Sequence, residues 1–259
     1  MIPYIEVPDL PVMGARFHIF GFLVAIGVLV GHGVLSARAK SLGLGPASRV
    51  DLFVVVVFAC GFLVGHMVDT VFYHPEALAL GWKELFMVHH GLSSVGGVFG
   101  AVVGGLLFLR AHKLDPWTWT DLCTYAFPFG WFFGRMGCAA VHDHPGRLSD
   151  SVLAVRFPGG ARFDLGLLEF LATPLLIALV VWVSRRTSRP GMISGALCVA
   201  YALVRFPMDF LRATDLGPEG DRRYAGLTPA QYACLGAVLL GAWVLHRARR
   251  NPPLRLDAR

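Results

Sequence analysis

Seven stretches of nearly continuous apolar residues alternate with short polar connections along the chain, at 17–35, 50–72, 92–109, 122–141, 165–183, 192–210 and 228–245. Each is close to the roughly 20 residues that an α-helix needs to cross the hydrocarbon core. The pattern predicts an all-α fold: a polytopic membrane bundle of about seven transmembrane helices. The polar stretches are too short to bury a core of their own, so residues 1–259 read as a single transmembrane domain. Residues 1–16 carry prolines at 3, 8 and 11, lack a basic start and precede a full-length apolar run, so they are not expected to be a signal peptide.

The polar connections differ in character. One set is short and basic: Arg38, Lys40 and Arg49; Arg110 and Lys113; Arg185, Arg186 and Arg189; then Arg247, Arg249, Arg250, Arg255 and Arg259. Such loops face the cytoplasm, which predicts an external N-terminus and a cytoplasmic C-terminus. The opposite set, 73–91, 142–164 and 213–227, is longer and carries histidines and turn residues, as functional loops often do.

Composition sharpens this picture. Charged residues are 15% of the chain, against about 25% in average globular proteins, and the mean hydropathy is +0.60. The net charge of +6 sits in the short loops where membrane topology requires it, which argues against nucleic acid as a partner. Cys60, Cys123, Cys138, Cys198 and Cys234 fall in apolar runs without a C-x-x-C pair and read as small core residues.

Polar groups at membrane depth cluster in the outer half. They are His18; His66 and Asp69; His89, His90, Ser93 and Ser94; Arg135; Arg162, Asp164 and Glu169; and Arg205, Asp209 and Arg212. An isolated charge at the bilayer centre costs about 2.5–3.5 kcal/mol on insertion scales. Clustered charges pair and share a water-filled cavity. Arg205, Asp209 and Arg212 are spaced for one helix face, and Arg135 and His142 share a face if their helix runs that far. Arginines converging on one site suit a phosphate, whose oxygens accept the planar guanidinium fork in pairs. In a membrane the obvious phosphate is a phospholipid headgroup. An internal Arg205–Asp209 ion pair and a snorkelling Arg212 are the simpler reading, but Asp209 cannot neutralise three arginines. In the turn His142-Asp143-His144-Pro145, a histidine oriented by Asp143 would serve as general base. Solvated loop histidines or a metal site are the alternatives, and H-x-H spacing alone says little for a metal. Gly91, Gly96, Gly97, Gly100, Gly104 and Gly105 give the third run a small-residue face for close helix approach.

The chain resembles the prolipoprotein diacylglyceryl transferase family. The family signature G-R-x-G-N-x-x-N-G-E is similar to Gly134-Arg135-Met136-Gly137-Cys138-Ala139-Ala140-Val141-His142-Asp143, with both asparagines replaced. The family's G-G-M-S-x-H-G-G resembles Gly91 to Gly97, with Val95 where the histidine stands. H-P-S-Q-L-Y-E is reduced to 163–169, keeping chiefly Glu169, and R-x-x-x-E-x-x-R matches Arg205, Asp209 and Arg212 in spacing. Gln231 fits the glutamine opening the last span, and Phe20 stands for the family tyrosine before Gly21.

The resemblance implies an inner-membrane enzyme that moves the diacylglyceryl group of phosphatidylglycerol, or a related anionic phospholipid, to the cysteine thiol of a prolipoprotein and releases glycerol phosphate. The prolipoprotein's signal peptide would be its protein partner. Arg135 and Arg212 would hold the phosphate, and His142 or His144 with Asp143 would replace the missing family histidine. The expected substrate-binding set is Arg135, Arg205, Asp209, Arg212, Glu169, His90, Ser93, Ser94 and Gln231. No cofactor or metal is expected. The competing readings are a paralogue with a different acceptor, a non-catalytic phospholipid-binding or transport protein, and a metal-dependent membrane phosphatase.

Overall fold

The computed structural model describes residues 1–5, 7, 10–12, 15–72, 74, 75, 81, 83, 91–216 and 223–254. In chain order the elements are β1 (Leu10–Val12), β2 (Ala15–Phe17), α1 (Ile19–Ser41), α2 (Ala47–Phe72), α3 (Ser94–Ala111) and α4 (Pro116–Val141). Then come β3 (Pro145–Leu148), β4 (Val155–Phe157), β5 (Gly160–Asp164), α5 (Leu165–Arg186), α6 (Met192–Met208), a 3-10 turn (Asp209–Leu211) and α7 (Pro229–Ala248). Every apolar run lies on a helix. Five of these helices, α1, α2, α5, α6 with its 3-10 turn, and α7, are long and apolar enough to cross a membrane, and α3 is a shorter apolar helix. The protein is a multi-pass helical membrane protein.

The all-α expectation needs one correction. The 142–164 connection is not irregular: it folds into an antiparallel sheet of order β3-β5-β4, and β1 pairs with β2. Gly159 and Gly160, at φ +92° and +136°, make the turn that returns β4 onto β5. Such φ values are open to glycine at little steric cost. Ile2 pairs in parallel with Val155, its amide donating to the Ala154 carbonyl at 2.8 Å.

The helices pack as two compact units, residues Ser36–Trp119 and residues Met1–Leu35 with Thr120–Arg259. In the Ser36–Trp119 unit, α2 lies against the glycine face of α3: a Cβ on Gly96 would meet the Val68 side chain at 2.7 Å, and one on Gly104 the Cys60 side chain at 2.6 Å. Phe53, Phe108 and Trp119 form its aromatic core.

In the larger unit, α1 and α4 touch at Gly27 and Gly130, and α6 and α7 at Gly195 and Gly241. Leu176, Val180 and Val183 of α5 pack on Ile193 and Leu197 of α6. The opening of α6 is held from α4. Its N-cap is Gly191, which offers no side chain, and Asp121 accepts from the amides of Gly191 at 2.9 Å, Ile193 at 3.3 Å and Ser194 at 2.8 Å. The carboxylate thereby satisfies helix-end donors that have no intrahelical partner. At its other end α6 stops one residue after Pro207 and tightens into the 3-10 turn. This break releases Asp209 and Arg212 from regular helix.

Candidate active site

Three arginines and two carboxylates from four segments of the larger unit form a continuous ionic chain. Arg135 Nε, on α4, lies 2.9 Å from Glu169 Oε2 on α5. Glu169 Oε1 lies 3.4 Å from Arg205 Nε on α6. Arg205 Nη2 reaches Asp209 Oδ1 at 2.7 Å, and Arg212 Nη1 stands 3.6 Å from the same oxygen. Glu169 and Asp209 are buried, at 6% and 1% exposure. The Thr228 hydroxyl, at the α7 N-cap, donates to Asp209. Among the described residues, three guanidinium groups thus share these two carboxylates.

Glu169 and Arg205 of this ionic chain border open space. A small cleft is lined by Trp131, Glu169, Thr173, Tyr201 and Arg205, among others. Arg205 Nη1 is buried and has no hydrogen-bond partner among the described residues. The Arg135 guanidinium carbon stands 4.4 Å from the Trp131 ring centre. A cation over an indole face is stabilised by the ring quadrupole. An anionic ligand with several oxygens would satisfy the unmet donor.

The His142–His144 turn is split. Helix α4 ends at Val141 and His142 adopts φ +53°, so Arg135 and His142 do not share a helix face. The partner of His142 is Asp164, not Asp143: Nδ1 lies 2.6 Å from Asp164 Oδ2. The other Asp164 oxygen accepts from the Leu167 amide at 3.0 Å and caps α5. Asp143 instead pairs with His144, and both side chains are more than a third exposed. This second pair reaches toward the arginines through Cys138, whose sulfur accepts from Arg135 Nη1 at 3.8 Å.

Donor atoms of Cys138, Asp143 and His144 lie within 4.8 Å of one another, a set of types that binds zinc elsewhere. Here the same sulfur already carries the Arg135 guanidinium, and a dication would have to sit beside that positive charge.

Beyond the turn, Arg162 on β5 forms a two-bond fork with Asp215, Nη1 to Oδ1 at 2.8 Å and Nη2 to Oδ2 at 2.5 Å. Hydrogen bonding from Arg162 holds the Asp215 carboxyl below its usual range.

The remaining expected residues have other roles or lie apart. Gln231 is fully buried, and its amide is committed at both ends: Oε1 accepts from the Thr228 amide and Nε2 donates to the Phe206 carbonyl at 3.2 Å. The group thereby ties the α7 cap to the last turn of α6. Ser93 is the N-cap of α3 and accepts from Gly96. The Ser94 side chain and His90 lie outside the described residues. In the Ser36–Trp119 unit, Asp69 stands 3.7 Å from His74, and His66 lies 3.5 Å from the Thr70 hydroxyl. Sequence reasoning missed Trp131 and Thr228. Trp131 precedes Arg135 by four residues, a spacing that places both on one helix face.

A family model described as prolipoprotein diacylglyceryl transferase matches residues 10–247. The chain belongs to the prolipoprotein diacylglyceryl transferase family. A phosphatidylglycerol–prolipoprotein diacylglyceryl transferase of Chromohalobacter salexigens is 32% identical over 244 residues, covering 92% of this chain and 90% of that relative. Proteins of the same name from Rhizobium leguminosarum bv. trifolii and Ruegeria pomeroyi are 29% and 28% identical, again over 92% of this chain and 90% and 91% of theirs. Val95, expected from the sequence to stand at the position of a histidine, is 73% exposed.

Proposed function

We propose that this protein is a phosphatidylglycerol–prolipoprotein diacylglyceryl transferase of the bacterial inner membrane. It forms one domain, with its N-terminus external, its C-terminus cytoplasmic and its site in the outer half. Membership of the family supports the activity, and the match across residues 10–247 supports one domain. Basic residues in the last turns of α1, α3, α5 and α7 support the orientation. The observation that carries the site assignment is the ionic chain joining Arg135 to Arg212, with an unmet Arg205 donor beside a cleft.

In this reading Arg135 and Arg212 grip the lipid phosphate, while Glu169, Arg205 and Asp209 fix their spacing. The acceptor thiol gives its proton to a base, its sulfur bonds to the terminal glyceryl carbon, and the bond from that carbon to the phosphate oxygen breaks. Glycerol phosphate leaves with the negative charge, which the two arginines stabilise. His144, paired with Asp143 and exposed, suits the base better than the buried His142. No cofactor enters this scheme, since the leaving group is already a phosphate ester.

The test is incubation of the purified protein with labelled phosphatidylglycerol and a lipobox peptide. A thioether-linked product is expected, and Arg135→Gln or Arg212→Gln lowers its rate by about 10²–10³-fold. Lipid binding without turnover in any variant would overturn the enzyme reading. The replacement at Val95 favours one second reading, a changed acceptor, and glycerol phosphate release without a thioether would establish it.

A further inference from the structure

Arg212 is the one member of the ionic chain that stands outside every helical turn. It follows the 3-10 turn in an extended conformation, and its amide reaches the Asp209 carbonyl only at 3.4 Å. The direction of its side chain therefore depends on what holds the backbone of residues 211–215. Two contacts do so. Gly146 of β3 pairs antiparallel with Arg212, and it approaches so closely that a Cβ there would lie 2.5 Å from the Leu211 carbonyl oxygen. Asp215, three residues past Arg212, is held in the fork of Arg162. Arg162 joins both, because its Nη1 also donates to the Gly146 carbonyl at 3.1 Å. A single buried guanidinium thus binds the strand on one side of Arg212 and the carboxylate on the other.

We propose that Arg162 is a positioning residue for Arg212, setting how the phosphate-binding guanidinium is presented to the lipid headgroup. This rests on the reading of Arg212 as a phosphate ligand. Geometry favours alignment over bulk stability as the function of the fork. The Asp215 side chain is 46% exposed, and ion pairs open to water contribute little to folding. A planar two-bond fork nevertheless fixes direction as well as distance.

The test is a double-mutant cycle in full-length protein with phosphatidylglycerol and a lipobox peptide. Arg162→Gln lowers kcat/KM for the lipid by about 10–100-fold, the cost of misplacing a binding group by roughly an ångström. The unfolding midpoint moves little, and Arg162→Lys, which keeps charge and one bond, recovers part of the loss. In an Arg212→Lys background the added loss from Arg162→Gln shrinks to within about twofold, because the two changes act through one contact. Equal losses in both backgrounds, or a loss that follows the fraction of folded protein, would overturn the proposal. Arg212→Gln separates the two claims. If it transfers at the full rate, the phosphate reading fails and the positioning role fails with it. If it is impaired while Arg162→Gln is not, the positioning role alone fails.

Discussion

His142 and His144 stand two residues apart, each bonded through Nδ1 to an aspartate, and the fold gives them opposite surroundings. His142 is 9% exposed and its partner Asp164 is fully buried. Tyr4 stacks on the His142 ring with centroids 4.5 Å apart, and Phe157 meets it edge-on at 5.5 Å. Because Asp164 also caps α5, this pair joins the end of α4, the start of α5 and the N-terminal segment. His144 and Asp143 are 39% and 38% exposed, and they lie beside the cysteine that contacts Arg135. A buried pair of this kind fixes geometry. A base must exchange protons with water and reach its substrate. Identical chemistry thus divides by burial into a fastener and a reagent.

The sharpest way to break this contrast is His144→Ala. Loss of a general base lowers transfer by about 10²–10⁴-fold, while the unfolding midpoint in detergent stays near that of the parent protein. Full transfer by His144→Ala together with its loss in His142→Ala would exchange the two roles.

The converse experiment is Asp164→Ala. It removes a helix cap and leaves a largely buried imidazole unbonded, for a combined loss of about 2–4 kcal/mol in stability. Transfer per folded molecule should be nearly unchanged, measured as rate against the fraction surviving mild heating. A selective loss of rate in fully folded Asp164→Ala would place His142 in the chemistry instead.

The sequence was most legible where one physical requirement acts alone. Crossing a membrane demands long apolar runs, and all seven runs became helices. Close packing demands small residues, and the α3 glycines meet α2 as their spacing suggests. Arg205, Asp209 and Arg212 could be grouped because their spacing is local. Legibility failed where partners come from far along the chain. Asp143 was the nearer acid to His142, yet Asp164, 22 residues away, holds it, because the intervening residues fold into a sheet. Strands of three to five residues carry too few alternations to register as a pattern. Family resemblance alone places Gln231 in the site, and its role in the fold could not be read from the sequence. Its hydrogen bonds to Thr228 and Phe206 depend on an α6–α7 contact that no local pattern displays.

The smallest effect concerns the acid–base pair that lies between the other two in burial. Arg162 is 10% exposed and Asp215 46%. Hydrogen bonding from Arg162 holds the Asp215 carboxyl below its ordinary value of 3.8. A carboxylate whose pKa is lowered by folding adds stability that is fully present above the unfolded value and disappears as pH falls through the folded one. The midpoint difference between the parent protein and Asp215→Asn should therefore be small and flat from neutral pH down to about 4, then shrink toward zero in more acidic buffer. The measurement is the unfolding midpoint of both proteins across that range. A gap that widens on acidification would mean that the protonated carboxyl, not the ion, is the form the fold prefers.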